Sequence, residues 1–137
     1  MWPFKKNVRI TPKIEINGIT IEFDSSYLAY RYWKFHHNGI EYTFAKDTFD
    51  ARVLQALEIT PVWLTERLAE IHALIRQQFD GNPVALNGLD QLISVELGDF
   101  LEKREIGAEF GGFEEWPDLG VTITIRDGKI IAADAAD

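Results

Sequence analysis

The first third of the chain alternates polar and apolar residues with the two-residue period of a β-strand. Four such segments are grouped in pairs around two Asn-Gly dipeptides, which favour the type I′ turn of a two-residue hairpin. We therefore predict two consecutive hairpins that form a four-stranded antiparallel meander. The predicted strands are residues 13–16, 19–23, 27–35 and 40–44, and the turns are Asn17-Gly18 and Asn38-Gly39.

From Lys46 onward the apolar residues recur every three or four positions, which is the period of an α-helix. Three helices are expected before the next strand. The first begins at Asp47–Asp50, which resembles a capping box. The second begins at Thr60-Pro61, an N-cap followed by proline at the first helical position, and ends at Phe79. The third spans residues 89–104, although Gly98 weakens it because glycine costs about 1 kcal/mol relative to alanine inside a helix.

The chain closes with a third predicted hairpin, in which residues 120–126 and 129–132 flank Asp127-Gly128. Helices gathered between two groups of strands indicate the α+β class. We expect residues 1–137 to form one domain. Its antiparallel sheet would have about six strands, the N-terminal meander plus the C-terminal hairpin, with three central helices packed on one face.

Composition excludes several kinds of site. The 137 residues include no cysteine, so disulfides, thiolate catalysis and cysteine-based metal sites are ruled out. No apolar run resembles a secretory signal or a membrane span, and we expect a cytoplasmic protein without a membrane partner. The net charge of −8 predicts no binding to nucleic acid, because phosphate contacts require clustered lysine and arginine.

No motif for a cofactor or a catalytic centre is present. The chain lacks both the Gly-x-Gly-x-x-Gly loop and the Walker Gly-Lys-Ser/Thr sequence, and we predict no cofactor and no catalytic residue. His36, His37 and Glu41 are the nearest approach to a metal cluster. Because adjacent strand residues point to opposite faces, we interpret the two histidines as surface residues at a hairpin end and predict no metal site. A metal-dependent hydrolase that uses these three residues is the enzymatic alternative.

Acidic residues are concentrated in one part of the chain. Between Asp90 and Asp118 there are nine acids against two bases, so this part carries −7 of the net charge of −8. Its first half is expected to be the solvated face of the third helix. Residues 109–118 combine acids with aromatic residues and show no periodicity, as in loops that expose aromatic anchors for binding. The predicted partner-binding residues are Glu109, Phe110, Phe113, Glu114, Glu115, Trp116 and Asp118.

These observations favour a protein-interaction module over an enzyme. A small, acidic, cysteine-free chain suits an inhibitor that captures a basic toxin or nuclease, as bacterial immunity proteins do, and the analogy is one of physical type alone. Acidic charge would speed the encounter with a basic partner. A third possibility is a structural or assembly subunit that forms a homodimer through the aromatic second hairpin or an open sheet edge.

Overall fold

A computed structural model describes residues 12–27, 30–79, 83–111, 116 and 120–135. Eight strands form a single sheet in which the spatial order follows the chain, from β1 at one edge to β8 at the other. The strands are β1 Lys13–Ile16, β2 Ile19–Tyr27, β3 Tyr30–His37, β4 Ile40–Phe44, β5 Leu92–Glu96, β6 Glu105–Phe110, β7 Val121–Arg126 and β8 Lys129–Ala135. The helices are a 3-10 helix over Ala51–Gln55, α1 Ala56–Glu66, α2 Leu68–Gln77 and α3 Phe100–Lys103.

The sheet is not wholly antiparallel. Every neighbouring pair of strands is antiparallel except β4 and β5, which run parallel with Tyr42 opposite Val95. A parallel pair requires a crossover connection, and the 3-10 helix, α1 and α2 lie within it. The mixed α/β architecture agrees with the predicted class. The expectation of about six strands in an antiparallel sheet was wrong, since β5 and β6 join the two predicted groups of strands into one sheet.

The three predicted hairpins are present, and their turns have the expected backbone. Asn17, Asn38 and Asp127 have φ of 51°, 51° and 50°, and the glycines that follow have φ of 77–78°. Two successive residues with positive φ define the type I′ turn, whose twist matches that of the flanking strands. The backbone preferences of these dipeptides therefore account for the three turns.

The helices differ from the prediction at their ends. The N-cap is Asp50, whose carboxylate accepts a hydrogen bond from the main-chain N–H of Arg52, and the 3-10 helix that it begins leads directly into α1. Thr60-Pro61 lies inside α1 and does not begin a helix. The predicted second helix is broken at Arg67, where φ of −108° and ψ of 13° separate α1 from α2.

The predicted third helix was wrong over most of its length. Leu92–Glu96 is a strand at the centre of the sheet, and only Phe100–Lys103 is helical. Residues 105–110, expected to be the end of a helix and a loop, form β6 with a strictly alternating burial pattern. The neighbours that convert residues 92–96 into a strand are β4 and β6, and β4 lies about fifty residues earlier in the chain.

One face of the sheet carries the core, and the helices cover it. Ile21, Phe35, Val95 and Ile123 are at most 1% exposed on this inner face. They belong to one cluster with the buried positions of the helical segment, which are Val53, Ala56, Leu64, Ile71 and Ile75. Because side chains alternate along a strand, the remaining strand residues point to the opposite, outer face. Among the described residues, no helix has the length and apolar character needed to cross a membrane.

Candidate functional site

The outer face of the sheet is polar and predominantly acidic. The strand registers place eight acids and four bases on this face within the described part of the chain. Threonine and serine occupy many of the remaining positions, as expected for a solvated sheet surface. The acids are Glu15, Glu22, Asp24, Glu41, Glu96, Glu105, Glu109 and Asp134, and the bases are Lys13, Lys34, Arg126 and Lys129.

The bases lie toward the two ends of the sheet, and three of them are already paired with acids. Lys13 Nζ lies 3.6 Å from Glu22 Oε1, and Lys34 Nζ lies 3.3 Å from Asp24 Oδ2. At the other end, Arg126 Nη2 lies 2.7 Å from Glu105 Oε1. These pairs neutralise the flanks of the face locally.

The middle of the face carries carboxylates without such partners. Glu41, Glu96 and Glu109 lie on β4, β5 and β6, and none of them takes part in an ion pair formed among the described residues. Glu41 is opposite Ser94, and Ser94 pairs in turn with Glu109 through a register shift. With strands about 4.8 Å apart, the Cα atoms of Glu41 and Glu109 are separated by roughly 10 Å. We name Glu41, Glu96 and Glu109 the central acidic patch.

Short hydrogen bonds hold two of these carboxylates in place. Glu96 Oε2 accepts from Thr43 Oγ1 at 2.6 Å, and Glu96 Oε1 accepts from the main-chain N–H of Gly98 at 2.6 Å. Glu109 Oε2 accepts from Ser94 Oγ at 3.1 Å. A Cβ added at Gly98 would lie 2.6 Å from Glu96 Oε1, so this carboxylate position requires glycine there. Two of the three charges of the patch are therefore held in place by hydrogen bonds on the sheet.

Beside the patch, Asp24 lies between Tyr32 and Lys34. The Tyr32 hydroxyl donates to Asp24 Oδ2 at 3.3 Å, and Lys34 Nζ donates to the same oxygen at 3.3 Å. Burial and then the charge of Asp24 raise the pKa of Tyr32, while the hydrogen bond to Asp24 raises the pKa of Lys34. Both groups remain protonated at neutral pH, so neither is activated as a nucleophile or a base.

The seven predicted partner-binding residues fall into three groups: one lies on the outer face, two are buried, and four lie outside the described residues. Glu109 lies on the outer face, within the central acidic patch. Phe110 is 1% exposed and Trp116 is 5% exposed, so the expectation that these two are exposed anchors was wrong. Phe110 is buried because it alternates with Glu109 along β6, and Trp116 packs edge-on against Phe79 with ring centroids 5.2 Å apart. The other members of the predicted set lie outside the described residues, namely Phe113, Glu114, Glu115 and Asp118.

The histidines of the second hairpin lie on opposite sides of β3. His36 is opposite Glu41, whereas His37 is opposite Ile40. Among the described residues, no three histidine, aspartate or glutamate side chains lie close enough together to hold a metal ion.

Glu41 and Glu96 were not expected to act with Glu109. Glu41 was considered only for a metal site, and Glu96 was assigned to a helix surface. A signal for β6 was present in the sequence, because Glu105-Ile106-Gly107-Ala108-Glu109-Phe110 alternates in polarity. No local pattern in the sequence indicated that β4, β5 and β6 would be neighbours in the sheet.

Comparison of the chain with protein-family models, curated proteins and solved structures found no match in any of the three.

Proposed function

We propose that this protein is a non-enzymatic interaction module that binds a basic protein through the outer face of its sheet. The central acidic patch provides the main attraction. Capture of a basic toxin or nuclease, in the manner of an immunity-type inhibitor, is the specific role that we favour, in the cytoplasm.

The single observation that carries this proposal is the unneutralised charge at the middle of an ordered surface. The carboxylates of Glu96 and Glu109 are held by hydrogen bonds from neutral donors, so their charge is retained. Fixed charges on a rigid sheet need little reordering when a partner arrives. Long-range attraction of this kind raises association rates and decreases with salt.

Self-association through the aromatic second hairpin receives less support. Four of its aromatic residues, Trp33, Phe35, Tyr42 and Phe44, are at most 8% exposed because they pack in the core. At the β8 edge, the register shift between Thr124 and Ile125 makes Ile131 a bulge residue that has no partner in the β7 register. Bulges of this kind discourage pairing between edges.

The test removes the charge of the central acidic patch without changing its shape. The triple variant E41Q/E96Q/E109Q keeps the size of each side chain and one acceptor oxygen on each, so that at position 96 the oxygen can still accept from Gly98 N–H while the amide NH2 faces Thr43 Oγ1. The matched control E58Q/E66Q/E70Q changes the net charge equally on exposed helix positions. Each protein is immobilised and exposed to lysate of the native host at low and at high salt. Captured proteins are then compared by quantitative mass spectrometry.

We expect the wild-type protein and the helix control to capture the same basic protein at low salt. After the same short exposure the patch variant should capture about tenfold less of it, because electrostatic steering raises association rates by factors of ten or more. This difference should vanish at 0.5 M salt, where the screening length is about 4 Å. Equal capture by the patch variant and the control would refute the proposal, as would the absence of any basic protein bound by the wild-type chain.

A second variant tests the contribution of the neighbouring acids. E114Q/E115Q removes two charges from the predicted segment 109–118 while leaving the central acidic patch intact. If E114Q/E115Q loses capture and the triple patch variant retains it, the partner contacts the segment and the patch is not its site.

A further inference from the structure

The strands β2 and β3 pair over only part of their length. Their register runs from Tyr27 opposite Tyr30 to Glu22 opposite Lys34. Both strands extend beyond this last pair, β2 back to Ile19 and β3 onward to His37. In these described segments, residues 19–21 and 35–37 run side by side without belonging to the β2–β3 ladder.

Each of the two hairpins nevertheless remains closed on its other side. Within the first hairpin, Ile19 is opposite Ile16 and Thr20 is opposite Glu15. Within the second, His36 is opposite Glu41 and His37 is opposite Ile40. The sheet is therefore split between two intact hairpins, and the split opens toward their Asn-Gly turns.

A cavity of about 470 Å³ coincides with this split. Its size falls in the range of roughly 300–1,000 Å³ that is typical of ligand sites. One wall comes from the start of β2 and the other from the end of β3. The lining residues are Gly18, Ile19, Thr20, Glu22, Lys34, Phe35, His36 and His37.

The walls offer main-chain groups to a ligand. In each two-residue hairpin the main-chain N–H and C=O groups alternate between the hairpin partner and the other side, so Thr20 and His36 are the residues that present these groups to the split. An extended peptide satisfies such groups by adding a strand. Ile19 provides an apolar contact near the base, while Thr20 and His36 lie on the polar side of the split. This combination of an open groove and exposed main chain suits an extended peptide better than an enclosed small molecule.

The charges around the split favour a cationic peptide. Glu22 lines it, Glu15 is opposite Thr20 on one wall, and Glu41 is opposite His36 on the other. The nearby lysines, Lys13 and Lys34, are already held by Glu22 and Asp24. Since Glu22 is paired with Lys13, a lysine or arginine side chain from a ligand would meet Glu15 at one wall and Glu41 at the other.

We propose that the split between β2 and β3 binds an extended segment of the partner that carries lysine or arginine. This inference rests on the proposed function, since the segment belongs to the same basic protein. Glu41 borders both the split and the central acidic patch, so one partner can occupy the two together. The main chain of the segment pairs with Thr20 or His36, and its cation lies toward Glu15 and Glu41.

Three synthetic hexapeptides test this site on the full-length protein. One alternates lysine with valine, the second has glutamate in place of lysine, and the third is the lysine peptide with alternate amides N-methylated. N-methylation removes the donors needed for strand addition while keeping the charge. Binding is followed residue by residue with NMR amide shifts and hydrogen exchange.

We expect the lysine peptide to shift the amides of Thr20 and His36, which face the split. At nine-tenths occupancy the exchange of the amide that it pairs with should slow by about tenfold, because only the unbound tenth exchanges. The glutamate and N-methylated peptides should produce neither effect. Protection by the N-methylated peptide as strong as that by the parent would overturn strand addition.

The outcomes also separate this inference from the proposed function. Shifts from the lysine peptide that are confined to Glu96, Glu109 and their neighbours, with none at the split, overturn this inference and leave the acidic face as the binding surface. Shifts from the glutamate peptide that equal those from the lysine peptide overturn the charge preference. Absence of any shift, combined with equal lysate capture by the patch variant and its control, overturns both.

Discussion

Replacement of Trp116 by alanine distinguishes a core residue from a binding anchor. Trp116 was expected to project from an exposed acidic segment, yet it is 5% exposed and contacts Phe79, which is 7% exposed at the end of α2. Removing a buried tryptophan side chain costs about 3–5 kcal/mol through lost burial and the cavity that remains. An exposed anchor would change the free energy of unfolding by roughly 0.5 kcal/mol or less.

The expected loss is large enough to measure by two methods. With about 2.1 cal/mol/K of unfolding entropy per residue, a chain of 137 residues loses roughly 3.5 °C of Tm for each kcal/mol. Trp116→Ala should therefore lower the Tm by about 10–17 °C. Guanidinium denaturation at 25 °C gives the free energy of unfolding directly, and the control Ile131→Ala, at a side chain that is 48% exposed, should change it by roughly 0.5 kcal/mol or less.

A double-mutant cycle locates the interaction. Trp116→Leu and Phe79→Leu leave a smaller apolar side chain at each position and remove the edge-on aromatic contact, and their coupling energy should be about 0.5–1.5 kcal/mol. A Trp116→Ala protein that unfolds at the wild-type midpoint would refute the buried placement. If that variant also lost capture of the proposed basic partner, the anchor hypothesis for Trp116 would be restored.

Two further changes test individual side chains. Thr60 is 1% exposed, and its hydroxyl has no hydrogen-bond partner in the described structure. Thr60→Val should therefore raise the free energy of unfolding in guanidinium by about 1 kcal/mol, whereas a decrease would reveal a partner for the hydroxyl. Hydrogen bonds from Arg52 lower the pKa of Asp50 from 3.8 to about 2. Because this pKa is lower in the folded state, the stabilisation is complete above about pH 4 and is lost as the pH falls toward 2. Asp50→Asn, which still caps the helix, should unfold more easily than the wild type at pH 6 and equally at pH 2; a constant difference between these pH values would contradict the assignment.

The sequence predicted elements wherever the deciding interaction was local. The three hairpins depend on two residues each, because Asn or Asp followed by glycine adopts positive φ at little cost. The error at residues 92–96 has the opposite origin. Leu89, Leu92, Ile93 and Leu97 fit a helical spacing, but Ile93 is 42% exposed at a register shift, while Val95 and Leu97 are buried. Gly98 was the one local sign against a helix.

Part of the candidate site was likewise indicated by local sequence patterns, and part was not. The alternating acids and apolar residues of β6 could be recognised from the sequence, and they explain why Glu109 is on the surface while Phe110 is buried. The grouping of Glu109 with Glu41 and Glu96 could not be recognised. It depends on β5 inserting between β4 and β6, and β4 is separated from the other two by the whole helical crossover.

The sequence by itself therefore determined the turns, most of the strands, the buried stripes of the helices and the overall negative charge. These follow from backbone preferences and from the periods of two and 3.6 residues, which act within a few neighbours. The tertiary structure decided the rest: the strand at residues 92–96, the parallel β4–β5 pair, the burial of Trp116, the central acidic patch and the split between β2 and β3. Each of these depends on contacts between distant segments, whose energy is realised only once the sheet has formed.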